Sequence, residues 1–299
     1  MMNILLTGAT GYIGGKLYQE LEKDPAVRLR LLVRDKRKYL RGTPPSAEVA
    51  EGSTFDKNSM RLALRGIDVA YYLIHSMAAG ADFEKLDRLS AWNFLEVAIE
   101  EKVRRIVYLG GLGNRATASR HLLSRIETGE ILSSRPQSIQ TIWLRAGIII
   151  GAGSASFEII RHLVHKIPVM TTPRWVRTMT QPISVHDVIR YLVEAKGVEV
   201  TGNLMVDIGS ERMTFKEMLL GTARVMGLRR HIIPVPLLTP RLSSLWLVLF
   251  APVPYRIARA LVDGLKSETT ITNINARKFF PQIRPLAFEK AVEAALAGA

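Results

Sequence analysis

Three glycines at a spacing of three residues, Gly8, Gly11 and Gly14, follow a short apolar run at residues 4–6. After Gly14 the apolar residues take a helical spacing. Glycines allow the backbone to approach an anion closely, and the free N–H groups of a first helical turn bind phosphate oxygens. The pattern therefore predicts a dinucleotide site. We expect its cofactor contacts to come from Gly8, Thr10, Gly11, Tyr12, Ile13 and Gly14.

A basic cluster follows the second apolar run, which covers residues 29–33. Residues 28–41 carry seven basic side chains against one acidic side chain, Asp35. A guanidinium at a strand end matches a 2′-phosphate through paired, charge-assisted hydrogen bonds. Arg34 is therefore the expected phosphate ligand, and NADP(H) is favoured. Asp35 keeps NAD(H) open as the alternative, because an acidic residue at this place binds the ribose hydroxyls.

The elements that must position these residues follow from hydrophobic patterning. Strand-like runs alternate with helical patterns, which predicts an α/β fold of the Rossmann type: a doubly wound parallel sheet with helices on both faces. The predicted strands cover residues 4–7, 29–33, 47–51, 69–73, 105–109, 141–145 and 204–208. The predicted helices of the first half cover residues 14–23, 57–65, 83–102 and 119–134.

The alternation ends near residue 151, and the remaining chain is mostly helical with proline-containing loops. We expect the Rossmann domain to cover residues 1–153, with residues 178–208 returning to it. A small, mainly helical C-terminal lobe is expected from residues 154–177 and 209–299. In such folds a lobe of this kind lies over the carboxyl edge of the sheet, where ligands bind.

The 299-residue chain has a net charge of +14 and no cysteine. The lack of cysteine excludes disulfides and thiolate ligands and is typical of a reducing, cytoplasmic location. We expect no cleaved signal peptide, because the residues before the first strand form no basic region, and no apolar run reaches the ~18 residues of a spanning helix. We assign the charge to a basic surface and a site for a phosphorylated cofactor. The sequence shows no nucleic-acid-binding module, so we expect no nucleic-acid partner, and it predicts no metal site.

Residues 7–14 (TGATGYIG) together with residues 32–35 (LVRD) resemble the atypical short-chain dehydrogenase/reductase superfamily. The similarity is greatest to its NmrA-like branch, and within it to the YbjT-type NAD(P)-binding proteins of bacteria. Further stretches at residues 70–77, 105–113, 153–157, 168–176 and 233–244 resemble the same branch. The resemblance thus extends over nearly the whole chain, and it implies an NAD(P)-binding fold.

The resemblance also implies a serine, a tyrosine and a lysine as catalytic residues, and the matching positions lack all three. The serine position reads Gly110-Gly111, and the tyrosine and lysine positions read His121 and Arg125. In one hypothesis His121 takes the proton role, with Ser119 or Ser124 beside it, because imidazole titrates near neutral pH. Arginine holds a ribose but does not act as a base.

His75 follows Leu73 and Ile74 at the end of the fourth predicted strand, on the expected nicotinamide side. It is a second candidate acid or polar clamp, and we expect Leu73, Ile74, His75 and Arg125 to contact the cofactor. A structural role remains open for either histidine. In the second hypothesis the protein is a non-catalytic dinucleotide sensor or assembly protein, as the NmrA-like resemblance implies.

The chain's second half contains a large apolar run at residues 242–250. This run is compatible with a lobe core, with a pocket for an apolar quinone- or isoprenoid-like ligand, or with peripheral contact at the inner face of a membrane. Met170, Trp175, Met179 and Met213 are further candidates for the pocket, and Arg241, Arg256 and Arg259 for the membrane contact. The leading interpretation is an NADP(H)-binding oxidoreductase that acts on an apolar substrate.

Overall fold

A computed structural model describes residues 1–40, 46–76, 82–172, 174–234, 263–264 and 267–298, with no side-chain description for residues 174, 175 and 234. Its strands are β1 (Met2–Thr7), β2 (Val27–Val33), β3 (Glu48–Glu51), β4 (Val69–Tyr72), β5 (Arg105–Gly111), β6 (Gln140–Ala146), β7 (Ile149–Ile150), β8 (Val169–Thr172), β9 (Met179–Thr180), β10 (Ile183–Ser184), β11 (Leu204–Ile208), β12 (Met213–Thr214) and β13 (His231–Pro234). Its helices are α1 (Tyr12–Leu21), α2 (Lys36–Tyr39), α3 (Lys57–Leu64), α4 (Phe83–Glu100), α5 (Arg120–Leu132), α6 (Ala155–Lys166), α7 (Val185–Ala195), α8 (Phe215–Val225), α9 (Asn275–Phe279) and α10 (Phe288–Ala297).

Seven strands form one parallel sheet in the order β11-β6-β5-β4-β1-β2-β3. Side chains alternate across β1, so Ile4 and Leu6 pack with α1 and α7 on one face, while Leu5 packs with α3, α4 and α5 on the other. Both faces are covered, and for this reason the strands are almost continuously apolar. The predicted Rossmann-type doubly wound sheet is confirmed.

The lobe has its own core, in which α6, α8 and α10 meet around Phe157, Phe215 and Phe288. Short strand pairs, β8 with β13 and β9 with β12, brace it. Residues 272–283 do not belong to this core. Phe280 and Ile283 are buried against the Rossmann sheet and its helices, although the sequence analysis places them in the lobe. Periodicity identifies an apolar face but does not identify the core against which that face packs.

No helix of the described residues is long and apolar enough to cross a membrane.

Candidate functional site

The turn between β1 and α1 is closed by glycines that no other residue can replace without strain. Gly8 has a positive φ of 73°, and the N–H of Gly11 donates to the Gly8 carbonyl at 2.9 Å. A Cβ atom at Gly14 would lie 2.1 Å from that same carbonyl oxygen, and one at Gly8 would lie 2.6 Å from the Leu73 oxygen. Gly11 is the N-cap of α1 and offers no side-chain cap, which leaves the first N–H groups free for a phosphate.

The other predicted residues of this turn differ in exposure. Thr10 is exposed at its tip, while Tyr12 and Ile13 line a cavity beneath it. Burial, together with the neighbouring Glu158 carboxylate, raises the pKa of Tyr12 to about 12. Its hydroxyl is buried without a hydrogen-bond partner among the described residues. The turn therefore fits the phosphates of a dinucleotide.

The end of β2 carries the residues expected to choose between the two cofactors. Arg34 is exposed there and forms no ion pair with the described residues. Asp35 is the N-cap of α2, and its carboxylate accepts a hydrogen bond from the Lys38 N–H at 2.8 Å. A carboxylate that caps a helix is less available to a ribose, whereas the Arg34 guanidinium has no ion-pair partner in the described part of the chain. Arg41 lies outside the described residues.

A cavity of about 440 Å³ extends from the glycine turn across the carboxyl ends of the central strands to the lobe. Its sheet side holds the predicted residues Leu73, Ile74, His75, His121 and Arg125. Its lobe side is apolar and consists mainly of Ile159, Ile160, Leu163, Met179 and Phe215. Arg125 is the one fixed charge among the described lining residues.

His75, His121 and Arg125 are brought together at the sheet side of this cavity. The ring centroids of the two histidines lie 6.2 Å apart, and the Phe83 ring lies 6.3 Å from that of His121. His121 and Arg125 are four residues apart on α5 and so share one face of the helix. The Arg125 guanidinium donates to the Leu109 carbonyl at 2.5 Å, which holds it over the end of β5.

The environment keeps both imidazoles neutral at pH 7. Burial among the surrounding atoms, with the Arg125 charge second, lowers the pKa of His121 to about 3 and that of His75 to about 4. His75 is exposed, and it lines the cavity. Its ring is therefore accessible from the cavity although many protein atoms surround it. The Nδ1 atom of His121 is buried with no partner in the described part of the chain. These shifts differ from the expectation that His121 titrates near neutral pH.

The two glycines at the expected serine position are enclosed by large side chains. A Cβ at Gly110 would lie 2.4 Å from Nε1 of Trp143, and a Cβ at Gly111 would lie 2.5 Å from the Leu122 side chain. Packing therefore excludes a serine at either position unless these neighbours move. Ser119, suggested as a neighbour of His121, is instead the N-cap of α5 and accepts from the Leu122 N–H.

Asp87 is a site residue that the sequence patterns above do not predict: a buried carboxylate on α4 that accepts hydrogen bonds from the Ser76 N–H and the Ser124 hydroxyl. A sequence signal does exist. Asp87 stands four and seven residues before Ala91 and Phe94, which are buried on the same helix, so the apolar stripe of α4 contains one acidic residue.

Of the methionines suggested for the pocket, Met179 lines the cavity, whereas Met170 and Met213 pack in the core of the lobe. This is the usual role of methionine as a core filler. The side chain of Trp175 lies outside the described residues, as do the apolar run at 242–250 and the basic residues Arg241, Arg256 and Arg259.

A doubly wound parallel sheet with a glycine turn after its first strand defines the class of NAD(P)H-binding proteins. In accordance with this, residues 8–137 match the family model described as NAD(P)H-binding. This match supports a nicotinamide dinucleotide as the cofactor of residues 8–137. No curated protein sequence matches it.

Several solved structures share the whole fold. Triphenylmethane reductase from Citrobacter sp., complexed with NADP(H), has a TM-score of 0.77 and 21% identity, over 98% of this chain and 99% of that one. The NADPH-dependent quinone oxidoreductase of Escherichia coli, with bound NADPH, has a TM-score of 0.74 and 16% identity, over 97% and 98%. UDP-glucose 4-epimerase from Thermotoga maritima has a TM-score of 0.74 and 15% identity, over 99% and 98%. At 15–21% identity, these similarities show that the chain shares the fold of these proteins.

Proposed function

We propose that the protein is an NADP(H)-dependent reductase of apolar, quinone-like substrates. One observation carries the proposal: a single cavity joins the phosphate-binding glycine turn to an apolar lobe wall, and Arg125 is the only fixed charge in its described lining. Such a cavity fits a largely apolar ligand with one electron-rich group. Two proteins with similar folds, named for reduction of triphenylmethane dyes and of quinones, support this substrate class.

The preference for NADP(H) follows from the end of β2. Arg34 is exposed and free of ion pairs in the described chain, while Asp35 already caps α2. A free guanidinium binds a 2′-phosphate as a bidentate partner, and this gain is absent with NAD(H). NAD(H) stays the alternative, with weaker binding.

The chain's own residues prepare the site for negative charge on the substrate. NADPH, when bound, supplies a hydride. Arg125 would stabilise the negative charge of a quinone oxygen during reduction, because its guanidinium lies in surroundings of low polarity. The apolar lobe wall keeps the ring against the cofactor side and excludes water.

The histidines act differently from the proton donor suggested by the sequence. Neutral His121 and His75 donate ring N–H hydrogen bonds but hold no acidic proton at pH 7, because their pKa values are lowered to about 3 and about 4. We assign them to orientation of the substrate oxygen. The hydroquinone anion takes its proton from solvent once it leaves the cavity, so hydride and proton together complete a two-electron reduction.

The test is NADPH oxidation with a small panel of quinones, followed by absorbance, in the wild type and three variants. Arg125→Met is expected to lower kcat/KM about a hundredfold or more and Arg125→Lys far less, because lysine keeps the charge. His121→Phe should raise KM more than it lowers kcat. A pH-independent kcat between pH 6 and 8 is expected, because no group of this set titrates there. Arg125→Met turning over like the wild type would contradict the proposal.

A non-catalytic dinucleotide sensor is the second candidate, and the closed glycine pair at Gly110 and Gly111 favours it, because packing removes the family's serine position. The same experiment separates the two. The sensor would be supported if the protein binds NADPH tightly, no quinone oxidises it, and Arg125→Met leaves the affinity for NADPH unchanged.

A further inference from the structure

Asp87 joins the two elements that carry the polar side of the cavity. It lies on α4 and is only 5% exposed. Its Oδ1 atom accepts the Ser76 backbone N–H at 2.6 Å, and its Oδ2 atom accepts the Ser124 hydroxyl at 2.8 Å. Each carboxylate oxygen thus serves a different element: the segment after β4 and helix α5.

Both partners are next to the residues that face the cavity. Ser76 directly follows His75, and Ser124 directly precedes Arg125 and lies one helical turn after His121. Asp87 is thus a direct side-chain connection between the segment that carries His75 and the helix that carries His121. No other hydrogen bond among the described residues joins these two stretches, 73–76 and 119–125.

The surroundings show that Asp87 does not serve an ion pair. No arginine or lysine of the described chain lies within ion-pair distance of it. The titratable groups whose pKa it influences are Tyr72, His75 and Tyr108, and for His75 its charge opposes that of Arg125. A buried carboxylate is costly unless hydrogen bonds compensate it, and here both bonds come from the elements of the site.

We propose that Asp87 is the positioning residue of the site, which sets the separation of His75 from His121 and Arg125 by binding the backbone beside one and the helix that carries the others. The expected effect on NADPH binding rests on the proposed reductase function. The effect on geometry does not.

The experiment compares Asp87→Ala, Asp87→Asn, Ser124→Ala and the double variant Asp87→Ala/Ser124→Ala. Asparagine keeps an acceptor for the Ser76 N–H and offers its amide N–H to the Ser124 oxygen, so it retains the connection without the charge. Three readouts are needed: imidazole signals in long-range ¹H–¹⁵N spectra of the nucleotide-free protein, the Kd for NADPH, and the Tm. Asp187→Ala is the control for Asp87→Ala, because Asp187 is also buried and accepts a backbone N–H, from Leu286, away from the cavity; unlike Asp87, it has an arginine, Arg190, at 3.6 Å.

We expect Asp87→Ala to shift the imidazole signals of both histidines. At a temperature well below the Tm of the variant, it should also weaken NADPH binding about tenfold or more. Asp87→Asn should restore most of the affinity, and Ser124→Ala should add nothing to Asp87→Ala, since both remove the same connection. The control should lower the Tm without moving either imidazole. Asp87→Ala that lowers the Tm but leaves the imidazole signals and Kd unchanged would overturn the proposal.

The spectra of the nucleotide-free protein decide the role of Asp87 even if the reductase proposal is wrong. Failure of the wild type to bind NADPH would refute the proposed function, whereas unmoved imidazole signals in Asp87→Ala would refute only the positioning role.

Discussion

Substitution of Gly14 by alanine is the sharpest test of the phosphate turn. The added Cβ would lie 2.1 Å from the Gly8 carbonyl oxygen and 2.7 Å from its carbon, whereas ordinary contact begins at 3.4 Å. The turn therefore has to open by about 1.3 Å at backbone atoms that do not rotate away. Overpacking of this kind costs about 1–3 kcal/mol of stability.

The loss in cofactor affinity follows from the same displacement. The N–H groups after Gly11 would move by about 1 Å from a bound phosphate, and each charge-assisted hydrogen bond lost costs about 1.5–3 kcal/mol. Every 1.4 kcal/mol is a factor of ten, so Gly14→Ala should weaken NADPH binding about ten- to a hundredfold. Fluorescence titration of NADPH, well below the Tm, measures this directly.

Two neighbouring glycines provide a graded control in the same assay. A Cβ at Gly11 would lie 3.2 Å from the Gly8 oxygen, and one at Gly15 would lie 3.4 Å from the Ala9 oxygen. Gly11→Ala should therefore weaken binding only a few-fold. Gly15→Ala should leave affinity unchanged and stabilise α1 by about 0.5–1 kcal/mol. The reasoning is refuted if Gly14→Ala binds NADPH like Gly15→Ala.

Three further predictions follow from the cavity and its surroundings. Arg34→Ala should raise the Kd for NADPH about tenfold or more and leave that for NADH within about twofold, and equal losses for both would show that Arg34 does not contact the 2′-phosphate. The pKa of His121 in the folded protein is about 3, below its ordinary 6.5. Between these two values the unfolded chain binds a proton that the folded protein does not, so the free energy of unfolding is highest above pH 6.5 and falls as the pH drops toward 3. Urea unfolding at a series of pH values should show that His121 lowers the free energy of unfolding by at most about 1.4 kcal/mol per pH unit, and the more exposed His75 by less. The dependence on pH should be weaker in His121→Phe, and an identical dependence in that variant would contradict the lowered pKa. Gly110→Ser introduces the serine that the resemblance implies, but its side chain would collide with Trp143. Thermal unfolding followed by circular dichroism should therefore show a Tm lower by a few degrees. An unchanged Tm would mean that Trp143 moves freely.

The sheet and the phosphate turn could be predicted because their signals are local. An apolar run of strand length, glycines at fixed spacing and a helical pattern lie next to one another in the chain, and the predicted strand at residues 204–208 coincides with β11. The positions of His121 and Arg125 on one face of α5 likewise follow from a spacing of four residues.

The rest of the site depends on contacts between distant residues. Nothing in the neighbourhood of His121 shows that burial lowers its pKa, because the crowding involves Phe83 and the segment after β4. The closure of Gly110 depends on Trp143 from the next strand. The return of residues 272–283 to the Rossmann core depends on an aspartate at the end of β11. Hydrophobic periodicity within one segment carries no information on such partners.

That returning segment limits how the molecule can move. Thr272 donates to the Asp207 carboxylate through both its N–H and its hydroxyl at 2.7 Å, and Asp207 also binds Arg145 at 2.6 Å. Farther along, Phe280 packs against Tyr191. The chain of the lobe is thus tied to the sheet at residues 272–283, and swinging the lobe away as a rigid body would strain the hydrogen bonds of Thr272 to Asp207 and the contact of Phe280 with Tyr191. Ligand exchange should therefore proceed by local side-chain and loop rearrangement rather than by hinge opening, and its rate should depend little on solvent viscosity.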